Sequence, residues 1–166
     1  IVTSAERARD LAQPPVYIRG FAQAHNHDAG RAGHDPLLQG PGIKAGPRAL
    51  AMAGAKLDDV TQCQIYDCYT YTVLVTLEDY GFCAKGEGGP FVEDGKLGPG
   101  GALPTNTGGG ELSSFYMWGM TPITEAVIQG RGQGGMRQQP NDLILVTGNG
   151  GILNYHATLL LSPEAA

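Results

Sequence analysis

QCQIYDCYTYTVLVTLEDYGFC, residues 62–83, changes its hydrophobic period partway along. Cys63 to Tyr66 reads as a short strand, whereas Val73, Leu74, Leu77 and Tyr80 recur at helical spacing. The hand-over falls at Tyr66-Asp67-Cys68-Tyr69-Thr70, so the fold class expected is α/β. Upstream, GPRALAMAGAKL places Pro47 at a first helical position with Leu50, Ala53 and Leu57 on one face. Val16 to Gly20 reads as a strand introduced by Pro14 and Pro15, Ala22 to Gly33 as irregular, and Ser4 as the N-cap of a short charged turn.

Downstream, Gly, Pro, Asp and Thr dominate from Ala84 to Gly110, which predicts a long surface loop of the kind that carries function. Thr121 and Pro122 read as cap and first residue of a helix running to about Gly130. DLILVTG and ILNYHATLLLS flank Asn149-Gly150-Gly151, which predicts two antiparallel strands joined by an Asn-Gly turn and buried on both faces.

The chain of 166 residues suffices for one domain with a substantial core. Its three cysteines, Cys63, Cys68 and Cys83, are odd in number and lack metal-type spacing, which argues against a disulfide framework or a zinc knuckle and favours a reducing cytoplasm. No apolar run approaches the roughly 20 residues that span a bilayer, and the N-terminus lacks the order of a signal peptide, so a cytosolic chain with no membrane partner is expected. A net charge of −5 without a basic cluster excludes nucleic acid as the expected partner. The 26 glycines and 11 prolines are interspersed with apolar segments, as in a loop-rich α/β protein.

The glycine run Asn106-Thr107-Gly108-Gly109-Gly110 leads into Phe115, Tyr116, Met117 and Trp118. A glycine loop lets backbone approach a ligand closely, so at least one of the bulky residues leaving it is expected to point into a site. His25, His27 and His34, with Asp28 and Asp35, do not have the spacing of a metal motif, and no metal is expected. The run at 86–89 and the 106–110 run lack the strand, spacing and lysine of a P-loop; turn formation is the default for both, and contact with a coenzyme A thioester the alternative.

Three ordered segments, the Tyr66–Gly95 stretch, Leu103-Pro-Thr-Asn-Thr-Gly-Gly-Gly-Glu-Leu-Ser113, and the C-terminal apolar hairpin around Gly148-Asn149-Gly150-Gly151, resemble the C-terminal half of a thiolase-like protein of the sterol-carrier or lipid-transfer type. The resemblance runs from Ile1 to about Ser162 and implies one half of a layered α/β fold, a mixed sheet packed between helices, whose nucleophilic cysteine lies in the other half. Residues 1–166 are accordingly expected to be a thiolase-like C-terminal domain, a fragment, cleavage product or split half whose N-terminal thiolase half is absent.

The chain departs from the family pattern at three places. Where ordinary members read His-Asp-Cys-Phe, residues 66–69 are Tyr-Asp-Cys-Tyr, and the histidine that follows the glycine loop falls on Tyr116. The Cys-x-Gly element aligns around Thr147 to Gly150 and holds no cysteine. Thiolytic chemistry is therefore not expected. The tyrosine pattern resembles that of the thiolase-like aldolases of steroid side-chain breakdown, which cleave a β-hydroxyacyl-CoA to a ketone and a shorter acyl-CoA. Such aldolases act with a small OB-fold, zinc-ribbon subunit, and the family's two-fold pairing implies a homodimer within a heterotetramer.

Retro-aldol cleavage needs a base for a hydroxyl proton and donors for the enolate oxygen, and a phenol serves either purpose. The resemblance thus implies Tyr66 and Tyr116 as the acid/base pair, with Asn106, Gly109, Gly110 and Gly150 as substrate or oxyanion contacts. Tyr155 and His156 are secondary candidates, while Tyr69, Tyr71 and Tyr80 read as packing and Cys68 as a small buried residue. No bound cofactor is implied beyond the substrate's own coenzyme A. Two rival readings stand beside the aldolase. One is an acyltransferase or degenerate thiolase using a cysteine in the absent half, and the other is a non-catalytic acyl-CoA-binding or lipid-transfer protein.

Overall fold

The computed structural model describes residues 1–26, 37–151 and 153–165. Four strands, β1 (Tyr17–His25), β2 (Gln62–Gln64), β3 (Ile144–Gly150) and β4 (Tyr155–Ser162), form one sheet in the order β1-β4-β3-β2. β3 pairs antiparallel with β4 and parallel with β2, and β1 pairs antiparallel with β4, so the sheet is mixed. The parallel step from β2 to β3 requires a crossover, and the intervening chain supplies α3 (Thr70–Tyr80), α4 (Gly88–Phe91), α5 (Gly110–Ser113) and α6 (Met120–Gly130).

Helices cover both faces of the sheet, which explains why β3 and β4 carry nearly unbroken apolar runs. Leu145 and Leu160 point into the larger core, with Ala49 and Leu50 of α2 (Gly42–Ala53), Leu77 and Tyr80 of α3, and Ile65. Their neighbours Ile144, Val146 and Leu161 point the other way and pack against Ala126 of α6. The alternation of side chains along a strand thus splits one hydrophobic run between two cores.

Several local expectations are corrected. β1 continues through Ala22 to His25, where irregular chain was expected, because its whole length finds partners on β4. α2 begins at Gly42 and carries Pro47 in its interior; the amides of Lys44 and Ala45 already bond to the Pro41 carbonyl, which nucleates the helix one turn earlier. The helix stops before Gly54, so Leu57 falls in a separate 3-10 turn, from which it still packs on the larger core. Ser4 does cap a one-turn helix, α1 (Ala5–Ala8), accepting from the Arg7 amide at 3.3 Å. α6 is capped at Gly119, with Thr121 inside the helix. The ladder between β3 and β4 extends through Gly150, so of the expected Asn149-Gly150-Gly151 only Gly151 falls in the turn.

The segment from Ala84 to Gly110 is not a plain surface loop. Leu103 is buried, and Phe91, Val92 and Leu97 pack on the larger core. Its last part runs along the free edge of β2: the Cys63 amide donates to the Pro104 carbonyl and the Asn106 amide to the Cys63 carbonyl, each at 2.9 Å. That pairing covers an otherwise open strand edge and delivers the glycine loop to the end of β2.

Gly20 marks the irregularity in the β1–β4 register, and a β-carbon there would lie 2.2 Å from the Ala49 carbonyl oxygen of α2. That oxygen, the Ala49 carbonyl carbon and the Ala53 nitrogen are all backbone atoms, so none yields easily. Gly20→Ala is expected to lower the unfolding free energy by about 2 kcal/mol or more, read by thermal or denaturant unfolding.

Candidate active site

β2 ends at Gln64, and the three amides that follow are each satisfied by a side chain from a different segment. The Ile65 amide donates to Asn106 Oδ1 at 2.7 Å, the Tyr66 amide to Thr147 Oγ1 at 3.2 Å, and the Asp67 amide to Glu111 Oε2 at 3.0 Å. The strand–helix junction, the glycine loop and the end of β3 therefore meet at one place. These are the three segments that the sequence singles out.

At this meeting point the Tyr66 and Tyr116 hydroxyls lie 2.9 Å apart, a hydrogen bond between residues 50 apart in sequence. Tyr66 is 7% exposed and Tyr116 56%, so the pair has one buried and one open member. Burial, reinforced by the bond from Tyr116 and by the acids nearby, pushes the Tyr66 phenol well above its ordinary value. Tyr66 is therefore a neutral phenol across the physiological range, suited to donate a hydrogen bond.

The loop that carries Tyr116 is tightly built. Asn106 (φ 53°), Gly109 (φ 95°) and Gly110 (φ 60°) all adopt left-handed backbone. The Gly109 amide donates to the Asn106 carbonyl at 2.8 Å. The Asp67 carboxylate accepts from the Glu111 amide at 2.8 Å and the Leu112 amide at 3.4 Å, while a β-carbon on Gly110 would lie 2.2 Å from Asp67 Oδ2. Below the loop, Thr107 donates to Glu125 Oε1 at 2.8 Å and accepts from Gln64 Nε2 at 3.0 Å. Burial alone would raise the Glu125 carboxyl, but bonds from Arg137, Gln129 and Thr107 outweigh it and hold the group below the usual carboxylate range.

Past the loop, Thr121 Oγ1 accepts from the Met117 amide and donates to the Phe115 carbonyl, both at 3.0 Å, which fixes the turn. The side chains it presents stay open: Phe115, Met117 and Trp118 are 47%, 58% and 71% exposed, and Trp118 sits at φ 49°. Depressions of about 260 Å³ and about 250 Å³ flank this region, one beside Phe115 and Glu125, the other along Gly148 to Gly150. Neither is lined by Tyr66 or Tyr116.

The remaining candidates separate. Gly150 pairs with Tyr155 in the β3–β4 ladder, and Tyr155 is half exposed, its ring set edge-on to His25 at 5.0 Å. His156 is 3% exposed, with Nδ1 bonded to Asn149 Oδ1 and Nε2 2.8 Å from the Tyr80 hydroxyl, which also meets Thr158 Oγ1. Burial holds the imidazole down to about 4, so His156 is a neutral core group. Tyr80 packs in the core as expected, but Tyr69 is exposed at the N-terminus of α3 and Tyr71 donates to the Leu37 carbonyl. Cys68 is half-buried; the fully buried thiol is Cys63. Of the His/Asp cluster only His25 is described; His27, Asp28, His34 and Asp35 lie outside the described residues. Among the described residues no group of three or more His, Cys, Asp or Glu is placed to hold a metal, and no helix is long and apolar enough to cross a membrane.

Sequence reasoning passed over Asp67, Glu111 and the role of Thr147. A signal was present, since each acid directly follows an element already suspected: Asp67 follows Tyr66, and Glu111 follows the glycine run.

A mixed sheet covered on both faces, with the strand–helix junction, glycine loop and C-terminal hairpin converging on one point, defines a thiolase-like C-terminal domain. Residues 22–163 match the family described as Thiolase C-terminal domain-like, and the chain belongs to that family. It is 40% identical over 158 residues to the steroid side-chain-cleaving aldolase of Thermomonospora curvata, covering 92% of this chain and 40% of that protein. It is also 40% identical over 156 residues to the 17-hydroxy-3-oxo-4-pregnene-20-carboxyl-CoA lyase of Mycobacterium tuberculosis, with the same coverage. The solved Ltp2-ChsH2(DUF35) aldolase superposes with a TM-score of 0.87 at 36% identity, over 96% of this chain and 42% of that one. The chain thus spans about two fifths of the length of these relatives.

The state of His156 is open to direct measurement. Its ring resonances are expected to show no titration near pH 6.5 and to move only near pH 4. Because the unfolded state binds this proton first, the stability that His156 contributes is full above about pH 6.5 and declines as the pH falls towards 4.

Proposed function

We propose that this chain forms part of a carbon–carbon lyase that cleaves a β-hydroxyacyl-CoA of the steroid side-chain type, with Tyr66 and Tyr116 as its acid/base pair. The observation that carries the proposal is the 2.9 Å contact between two phenolic oxygens standing where ordinary thiolases hold histidines. The two relatives, a steroid side-chain-cleaving aldolase and a CoA lyase, each 40% identical, and the aldolase of matching fold support the reaction class.

In the assigned roles Tyr66, buried and held neutral, keeps its proton and donates to the pair, while Tyr116 presents its oxygen to the substrate. The substrate hydroxyl passes its proton to the Tyr116 oxygen as Tyr116 releases its own to water, the bond between the α and β carbons breaks to give a ketone, and the electron pair collects on the thioester as an enolate. A proton returned to the α carbon completes the shorter acyl-CoA, with no net change in protons and no oxidant. Asn106, Gly109 and Gly110 hold the loop that aims Tyr116, and the side-chain-free Gly150 segment leaves room for the thioester.

The exposed Leu112, Phe115, Met117, Trp118 and Met120 form an apolar surface of the kind that partners cover. We assign that cover to an N-terminal thiolase half, with a DUF35-type subunit of OB-fold and zinc-ribbon architecture completing a heterotetramer built on a homodimer.

Tyr66→Phe and Tyr116→Phe, each made in the complete assembly, are expected to lower kcat for acyl-CoA release by about 100-fold or more while leaving the complex intact by size-exclusion chromatography. Near-normal cleavage by both variants would overturn the assignment.

A further inference from the structure

Asp67 and Glu111 form a reciprocal pair: the Asp67 amide donates to Glu111 Oε2 at 3.0 Å, and the Glu111 amide donates to Asp67 Oδ1 at 2.8 Å. The two bonds join the segment carrying Tyr66 to the segment carrying Tyr116. Asp67 is 5% exposed and Glu111 8%, and no lysine or arginine pairs with either carboxylate among the described residues. Asp67 accepts from two backbone amides, those of Glu111 and Leu112. Glu111 Oε1, by contrast, is buried without any hydrogen-bond partner. A bare anionic oxygen in that position costs far more than a neutral carboxylic acid does.

We propose that Glu111 is a positioning residue that works as the neutral acid, clamping the Tyr66 junction to the Tyr116 loop, and that loss of its proton disengages the tyrosine pair. The proposal rests on the tyrosine-based cleavage assigned above. Two buried carboxyl groups this close do not both ionise readily. The groups facing Glu111 are Asp67 and, more weakly, Tyr66 from the junction, and none supplies positive charge. Burial first and Asp67 second push Glu111 up to about 8, so the charge that would break the clamp arrives at mildly alkaline pH.

Between about pH 4.5 and about pH 8 the folded protein holds a proton that the unfolded chain has lost, so stability falls across that window as the pH rises and levels off above it. Glutamine has nearly the same shape as the protonated acid and offers the same acceptor to the Asp67 amide, but it cannot titrate.

The test compares wild type, Glu111→Gln and Glu111→Leu in the complete assembly. The expected kcat/KM profile falls above about pH 8 for wild type, stays flat there for Glu111→Gln, and is at least ~10-fold lower at all pH values for Glu111→Leu. Without substrate, the Tm advantage of Glu111→Gln over wild type should widen from pH 5 to pH 8. A Glu111→Gln profile that retains the alkaline fall, a Glu111→Leu variant as active as Glu111→Gln, or a Tm gap unchanged between pH 5 and pH 8 would each overturn the proposal. The Tm comparison stands apart from the chemistry. If Tyr66→Phe and Tyr116→Phe remained active, the lyase assignment would fail while the Tm gap still reported on the clamp.

Discussion

Three consecutive backbone amides, those of Ile65, Tyr66 and Asp67, organise the molecule at its centre. At the end of a buried strand each is a donor without a ladder partner, and leaving one unmet costs about 1–3 kcal/mol. Asn106, Thr147 and Glu111 meet them one by one from separate parts of the chain. The junction can therefore adopt its shape only when the glycine loop and the end of β3 are already in place. Its demand for partners brings the two tyrosines into contact, so folding and assembly of the site are one event.

The same requirement explains what the sequence made legible. Helical spacing in α3, the apolar density of β3 and β4, and the Tyr66 and Tyr116 positions are local signals, and the structure brings the two phenols together. What escaped was set by distant partners. The second half of β1 is strand because β4 lies alongside it, and its own residues carry little sign of that. The stretch before Gly110 looked polar and loose, yet it shields the edge of β2 and contributes Leu103 to the core. Pro47 pointed to a helix start, but backbone bonds to Pro41 had begun the helix upstream. In the site, Asp67 and Glu111 were hard to see because their importance depends on each other, and 44 residues separate them.

Polar groups inside this small domain fall into separate sets with different tasks. Tyr80, His156, Thr158 and Asn149 bond to one another on the α2 side of the sheet, with only Asn149 Nδ2 left unmet in the set, and the imidazole stays neutral and fills space as any buried polar ring does. Glu125, Arg137, Gln129 and Thr107 brace the glycine loop from below with a charge that is fully compensated. The Asp67–Glu111 pair differs from both in setting two buried acids against each other with no cation beside them, and it leaves Glu111 Oε1 without a partner. Satisfied networks rigidify their surroundings, whereas an incompletely satisfied one beside two phenols is where sensitivity to conditions concentrates.

Trp118 is the protein's single tryptophan, and it stands 71% exposed two residues from Tyr116. Its indole gives the chain a built-in optical reporter of that loop, with no second indole in the sequence. Whatever settles over the loop, another polypeptide or an acyl chain, moves the indole out of water and shifts its emission towards the blue, so assembly can be followed by light alone.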